Sequence, residues 1–240
     1  MSDRWRLKRL WPDSELKPTL SIVMPVLNEA AGIQATLKGL APLRQRGAEV
    51  IVVDGGSSDT SAALAAPWAD QVIETRKGRA RQMNAGARLA RADVLLFLHA
   101  DTQLPPGADE IVAAAIAEGA SWGRFDVSIN GRPFMLRVVS ALMNLRSRCT
   151  GIATGDQALF VQRTAFDAVQ GYPDQPLMED IELSRRLRRE APPACLRARV
   201  VTSGRRWESR GVWRTIFLMW RLRWRYWRGE SAAMLADAYR

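Results

Sequence analysis

His99 is the only histidine among 240 residues, and with Asp101 it directly follows the apolar run Val94 to Leu98. A soft nitrogen donor two residues from a hard carboxylate could orient a hydrogen bond or hold a ligand. The carboxylate could also bind a divalent cation in company with phosphate oxygens. Two further polar breaks share this setting. Asn28-Glu29 follows the run from Leu20 to Met24, with Pro25 between, and Asp54-Gly55-Gly56-Ser57-Ser58-Asp59 follows Glu49 to Val53. Those glycines let a backbone approach a ligand, whereas the serines suit a plain turn or helix cap equally well. Lys77, Arg79 and Arg81 bring cations to a helix start, an arrangement that suits a phosphate-bearing ligand or simply a solvated basic face. Neither a GxxxxGK[ST] loop nor a GxGxxG turn occurs. Asp156, in Gly155-Asp156-Gln157, can orient a hydroxyl or cap a turn. Glu179-Asp180 opens a helical stretch. Carboxylates there suit the helix dipole, and one within reach of a hydroxyl could also serve as general base. The chain offers no Ser–His or Cys–His dyad for covalent catalysis.

The elements that must position these groups alternate. The run Val94 to Leu98 predicts a strand buried on both faces, which belongs in a helix-covered, mostly parallel sheet. Strands are expected at 20–24, 49–53 and 71–74 as well, separated by helices at 31–40, 60–66, 80–90 and 109–117. The second half is less regular, with strands at 122–127, 158–161 and 197–201 and helices at 134–145, 178–189 and 212–227. In a parallel sheet successive carboxyl ends share one edge, so the three polar breaks should converge in space.

Size and charge bound the rest. A chain of this length with no linker composition predicts one large α/β domain with a C-terminal appendage. The net charge is +10, and residues 205–240 supply +6 of it, nine Arg against Glu208, Glu230 and Asp237. No stretch of eighteen uncharged apolar residues occurs, and residues 1–19 lack the apolar core of a secretory signal. Cys149 and Cys195 have no CxxC or zinc spacing, which fits free thiols. A cytoplasmic protein is expected, with peripheral placement on the inner face of the membrane as an option raised by the tail. There Trp213, Phe217, Trp220 and Trp224 form a helical stripe beside Arg214, Arg221, Arg225 and Arg228. Such a helix suits an anionic membrane surface, and it suits packing on the domain or a homodimer contact equally. Nucleic acid is the least favoured partner.

The set PVLNEA (25–30), VVDGGSSD (52–59), GRARQMNAG (78–86), LHADT (98–102), TGDQ (154–157) and MEDIELSRR (178–186) resembles family 2 glycosyltransferases in order and spacing. It is most similar to a bacterial glycosyltransferase-like "transferase 2" branch. The resemblance, which runs from about Leu20 to Trp207, implies a GT-A fold, a three-layer α/β/α domain assigned to residues 1–207; the basic amphipathic helical appendage over 208–240 is read from its own charge and period. The resemblance also implies inverting transfer of a sugar from a nucleotide-diphosphate donor to an acceptor hydroxyl, with Mg2+ or Mn2+; the tail, not the resemblance, raises a lipid-linked acceptor beside a small hydroxyl one. Pro25, Asn28, Glu29, Asp54 and Arg79 would line the nucleotide pocket. Asp101 matches the last Asp of the family's DxD metal motif, with His99 at the first position. Asp180 matches the catalytic base, with Glu179 beside it, and Asp156 lies where donor sugar and acceptor meet. Residues 203–207 loosely resemble a QxxRW segment without its Gln. A sugar nucleotidyltransferase, or a non-catalytic membrane-surface or interaction protein on the same fold, stays open as the alternative.

Overall fold

The structure, a computed structural model, describes residues 17–239. The expectation for the charged start of the chain falls mainly on residues 1–16, outside the described part. Eight strands form one sheet: β1 (Ser21–Val26), β2 (Glu49–Asp54), β3 (Gln71–Glu74), β4 (Val94–Phe97), β5 (Thr102–Gln103), β6 (Trp122–Asn130), β7 (Leu159–Gln162) and β8 (Ala194–Ser203). Their spatial order is β3-β2-β1-β4-β7-β6-β8-β5. The four early strands are parallel, as are β6 and β8, while β7 runs antiparallel between β4 and β6, and β5 pairs antiparallel with β8.

Alternation along the strands builds a core on each face. Ile22, Met24, Val50, Val52 and Leu96 pack against Ile33 and Leu37 of α1 (Ile33–Gly39), Leu43 of α2 (Ala41–Gln45), Ala65 of α3 (Ser61–Ala65) and Val112 of α5 (Ala108–Ala117). Val23, Ile51, Val53, Leu95 and Phe97 face Met83 of α4 (Arg79–Leu89), Phe166 of α7 (Arg163–Ala168) and Leu183 and Leu187 of α8 (Glu179–Glu190). The three-layer α/β/α architecture expected from the sequence is thus present. Gly86 lets α4 sit close on the sheet, since a Cβ there would lie 2.4 Å from Val23 Cγ1. Such an approach is open only to glycine.

Chain order and strand order diverge at β1. The chain moves from β1 outward to β3, then returns to place β4 on the other side. Crevices for ligands open at such switch points, at the carboxyl ends of the strands. Pairing between β1 and β4 ends at Val23↔Phe97. Pro25, which has no N–H to donate, therefore lies beyond the last rung on that side.

The second half differs in extent from its sequence expectation. Helix α6 (Met135–Thr150) runs past 145 and ends at Gly151, whose φ is +66°. Strand β8 has ten residues rather than five, and a register shift between Phe125 and Asp126 accommodates it along β6. Two short helices, α9 (Arg205–Arg210) and α11 (Ala232–Tyr239), flank α10 (Val212–Trp227). Helix α10 docks through buried Thr215 and Leu222, the latter packing with Leu235 and Met178. Its aromatic stripe points elsewhere: Trp213, Phe217, Trp220 and Trp224 are all exposed, and so is Trp227. Packing on the domain therefore uses the face opposite the stripe. Cys149 and Cys195 are both free, and no helix among the described residues is long and apolar enough to cross a membrane.

Candidate active site

The β1 and β2 ends are knitted together by their own polar groups. The Asn28 N–H donates to Ser57 Oγ at 2.9 Å, and the Ser58 N–H donates to Asn28 Oδ1 at 2.9 Å. Asn28 adopts φ +55° to do so, a left-handed conformation that Asn tolerates better than most residues. Buried Asp54 accepts from the Ser57 N–H at 2.9 Å and from its hydroxyl. Glu29 and Ala30 donate backbone N–H groups to Ser61 Oγ and Asp59. The serines therefore act within the turn, as the structural alternative for this segment required. Gln82 donates to the carbonyls of Val26 and Val53, both at 2.8 Å, closing the strand ends beneath these loops.

A line of charges crosses the mouth of the sheet. Arg79 contacts Glu179 at 3.5 Å and lies in the field of Glu179, Asp180, Asp156 and Asp101. Burial works to lower its pKa, and these four carboxylates together outweigh it. Four of the six sequence-predicted acidic residues thus act on one guanidinium, whereas Glu29 pairs with Arg205 and Asp54 is held by Ser57. Asp180 bridges two elements. Its Oδ2 accepts the Gly155 N–H at 2.7 Å and its Oδ1 accepts the Ile181 N–H at 2.8 Å. Gly155 begins a single 3-10 turn, Gly155–Gln157, held by a capping box between Thr154 and Gln157. Met178, just before the acidic pair, adopts φ +63°, a strained conformation for a non-glycine residue that recurs where side chains must be aimed.

His99 is fixed between two neighbours. Its Nδ1 lies 3.4 Å from Asp156 Oδ1, and its ring presses on Gly155, where a Cβ would sit 2.4 Å from Nε2. Burial works to raise the Asp156 carboxyl, but His99, Arg79 and Arg206 outweigh it and hold the group below the usual range. For Glu179 the balance is opposite: burial, then the charge of Asp180, push it up against the pull of Arg79. A carboxyl raised in the folded protein keeps a proton that the unfolded chain has already lost. Stability therefore falls as pH rises from the ordinary carboxylate range through the raised value. E179Q should accordingly raise the melting temperature at pH 8, on the order of 2–4 °C for each kcal/mol relieved. The gain should vanish near pH 4 in thermal melts, and a pH-independent difference would contradict this account.

Four residues near the site were given no role by the sequence. Tyr172 is buried against Phe97, ring centroids 4.9 Å apart. Burial, followed by Asp180 and Glu179, raises its phenol well above the usual range, so a neutral hydroxyl sits beside the acidic pair. Only a Gly-Tyr-Pro turn marked it. Arg206 lies in the field of Asp156 and Asp101, and Arg205 pairs with Glu29 at 2.9 Å. The segment at 203–207 thus reaches the site although its match was loose. Arg223 of α10 lies in the field of Asp180 and Asp156, a placement that its helical pattern gave no reason to expect.

Among the described residues no three His, Cys, Asp or Glu groups cluster as a metal cage. A Mg2+ or Mn2+ ion shared with phosphates needs only one or two carboxylates from the protein. Asp101, half-buried and free of ion-pair partners among the described residues, fits that more modest demand.

Comparison with known proteins gives a consistent result. Residues 21–165 match the Glycosyl transferase family 2 profile. The chain is 31% identical over 170 residues to the undecaprenyl-phosphate 4-deoxy-4-formamido-L-arabinose transferase of Pseudomonas fluorescens, 62% of this chain and 48% of that protein. It is 38% identical over 94 residues to a PGL/p-HBAD biosynthesis glycosyltransferase of Mycobacterium tuberculosis, 36% of this chain and 37% of that one. The matched part thus spans half or less of these relatives. Two solved structures share the fold. The mannosyltransferase PcManGT from Pyrobaculum calidifontis, in complex with GDP-Man and Mn2+, aligns with TM-score 0.59 and 22% identity over 80% of this chain and 58% of that one. S. aureus TarS 1-349 aligns with TM-score 0.62 and 17% identity over 77% of this chain and 60% of that one.

Proposed function

This chain belongs to glycosyl transferase family 2, and we propose that it moves a sugar, with inversion, from a nucleoside-diphosphate donor to an acceptor hydroxyl. The observation that carries this reading is the convergence of Asp101, Asp156, Glu179 and Asp180 on Arg79 at the carboxyl edge of the sheet. The donor's nucleoside would lie over Pro25, Asn28, Glu29 and Asp54, whose loops are already braced by hydrogen bonds to each other. Asp101 would hold a divalent cation together with the donor phosphates, and such an ion would offset the charge gained by the departing nucleoside diphosphate. His99, with one nitrogen toward Asp156 and the other toward Gly155, orients Asp156 rather than completing a metal cage. Asp180, its two oxygens aimed by backbone N–H groups, takes the proton from the acceptor hydroxyl as that oxygen attacks the anomeric carbon. Glu179 and Tyr172 flank it, both pushed up first by burial, and the Arg79 guanidinium offsets the repulsion among the carboxylates. PcManGT in complex with GDP-Man and Mn2+ supports the choice of nucleotide sugar and cation. A thermal-shift screen of nucleotide sugars with Mg2+ or Mn2+ should give at least one metal-dependent rise in melting temperature. No response to any nucleotide sugar with either ion would contradict the reading.

The exposed stripe on α10 supports a peripheral position on an anionic membrane surface. Phe134 at the cap of α6, with Val138, Leu142 and Leu145 within it, exposes a second apolar row, and aromatics flanked by Arg suit the headgroup region. The full chain should co-sediment with phosphatidylglycerol-containing vesicles and not with phosphatidylcholine alone. Replacing Trp213, Trp220 and Trp224 by Ala should abolish it. Protein that stays in the supernatant, or a stable dimer that the same substitutions dissolve, would assign the stripe to protein contact instead.

A further inference from the structure

Arg146 of α6 and Arg223 of α10 carry buried guanidinium nitrogens with no hydrogen-bond partner: Nε and Nη2 of the first, Nε of the second. Neither makes an ion pair among the described residues. Burial and then the charge of Arg223 lower Arg146 to about 10, so it still carries its charge at neutral pH. Arg223 is lowered by burial, with Asp180 and Asp156 opposing. Two cations whose buried donors go unmatched are costly to a fold. An anion from outside the chain would remove that cost.

Their neighbours say where the anion would sit. Asp101 acts on Arg79, Arg205 and Arg206. The charges acting on Arg146 are Arg223, Asp180 and Arg124, and those on Arg223 are Asp180 and Asp156. Asp101 thus acts with Arg206, where the donor's diphosphate would belong, and Asp180 acts on Arg146 and Arg223, where the acceptor would approach, with Arg79 and Asp156 shared between them.

We propose that Arg146 and Arg223 form an anion site on the acceptor side of Asp180 and that it takes a phosphoryl group carried by the acceptor, a proposal that rests on the transferase reading above. Two planar guanidinium groups can each give paired hydrogen bonds to one tetrahedral oxyanion. Seating the phosphoryl group there would bring a hydroxyl on the same molecule to the Asp180 carboxylate. Both a soluble phosphate ester and the headgroup of an anionic lipid offer that chemistry.

Titration calorimetry on the full chain tests it. Glycerol 3-phosphate, with glycerol as uncharged control, probes the soluble source. Phosphatidylglycerol vesicles, with phosphatidylcholine as control, probe the lipid source. Preferential binding of either phosphate probe is expected, weakened about tenfold or more by R146Q and by R223Q and partly regained by R223K. Binding of glycerol 3-phosphate assigns a soluble ester, and binding of the vesicles alone assigns a lipid. UDP and GDP with Mn2+ are titrated in parallel, and the Gln variants should bind them as wild type does. Phosphate probes bound no better than their controls, or bound equally by both Gln variants, overturn the proposal. Loss of nucleoside-diphosphate affinity in those variants also overturns it, since the arginines would then serve the donor. Wild-type protein that binds a phosphate probe but no nucleoside diphosphate would sink the donor reading and leave the anion site standing.

Discussion

Asp180→Asn is expected to lower sugar transfer by roughly 10²- to 10⁴-fold, the range that a positioned general base contributes, while donor binding survives. The expectation follows from how Asp180 is held. Its oxygens accept one N–H from the turn at Gly155 and one from Ile181 at the head of α8, so the side chain is pre-aimed and costs no reorganisation during the reaction. Asn keeps one acceptor but turns an amide toward the other N–H. That mismatch should cost about 1–3 kcal/mol of stability, and a melting curve must accompany the kinetics. Nucleoside-diphosphate titration separates the two effects, because a misfolded variant loses donor binding and a base-deficient one does not. Asp180→Glu preserves the charge and both acceptors but displaces the carboxylate by a methylene, so it should also be slow through misplacement. Wild-type turnover in D180N would remove Asp180 from the role.

Asp101→Asn should act on the other end of the site. Its expected effect is loss of the metal-dependent part of nucleoside-diphosphate binding, about tenfold or more, with little change in the folded state. The carboxylate is the hard anionic donor that a Mg2+ or Mn2+ ion shared with phosphates requires, and a neutral amide is a poor replacement. The hydrogen bonds of Asp101 itself do not depend on that charge. Ser203 donates to the Asp101 main-chain carbonyl at 3.2 Å, and the Thr102 hydroxyl meets its side chain at 3.4 Å; Asn can keep both contacts. Titrations of UDP and GDP with Mn2+ and with chelator check the point. The wild type should show a gain with Mn2+ that D101N lacks, and unchanged titrations would place the cation elsewhere or nowhere.

The first half of the domain was legible because its physics is local. Each buried strand is a short apolar run closed by polar residues, and parallel packing then forces those closures onto one edge. Val94 to Leu98 delivering His99 to Asp101 is the clearest instance, and the strand ends at Phe97, one residue before the apolar run does. The second half depends on long-range pairing. Strand β7 is inserted antiparallel between β4 and β6, and nothing in residues 159–162 encodes the partners. The acidic site residues could be named from motif and position, but their shared partner Arg79 emerges only when α4 and α8 pack on the same face. Tyr172, Arg206 and Arg223 went unrecognised for the same reason, each brought in by tertiary packing. The tail was half legible. Its aromatic stripe and basic face are written in a helical period, yet the same helix buries Leu222 and brings Arg223 into the field of Asp180. A period reveals faces and cannot say which neighbour each one meets.

The most direct test of the central claim is the identity of the nucleotide released when the full chain is incubated with nucleotide sugars, Mn2+ and a hydroxyl acceptor. Release of nucleoside diphosphate, with the product's anomeric configuration inverted by NMR and the signal lost in D180N, is the predicted result. Release of pyrophosphate, or of nothing from any nucleotide sugar that binds, would contradict it.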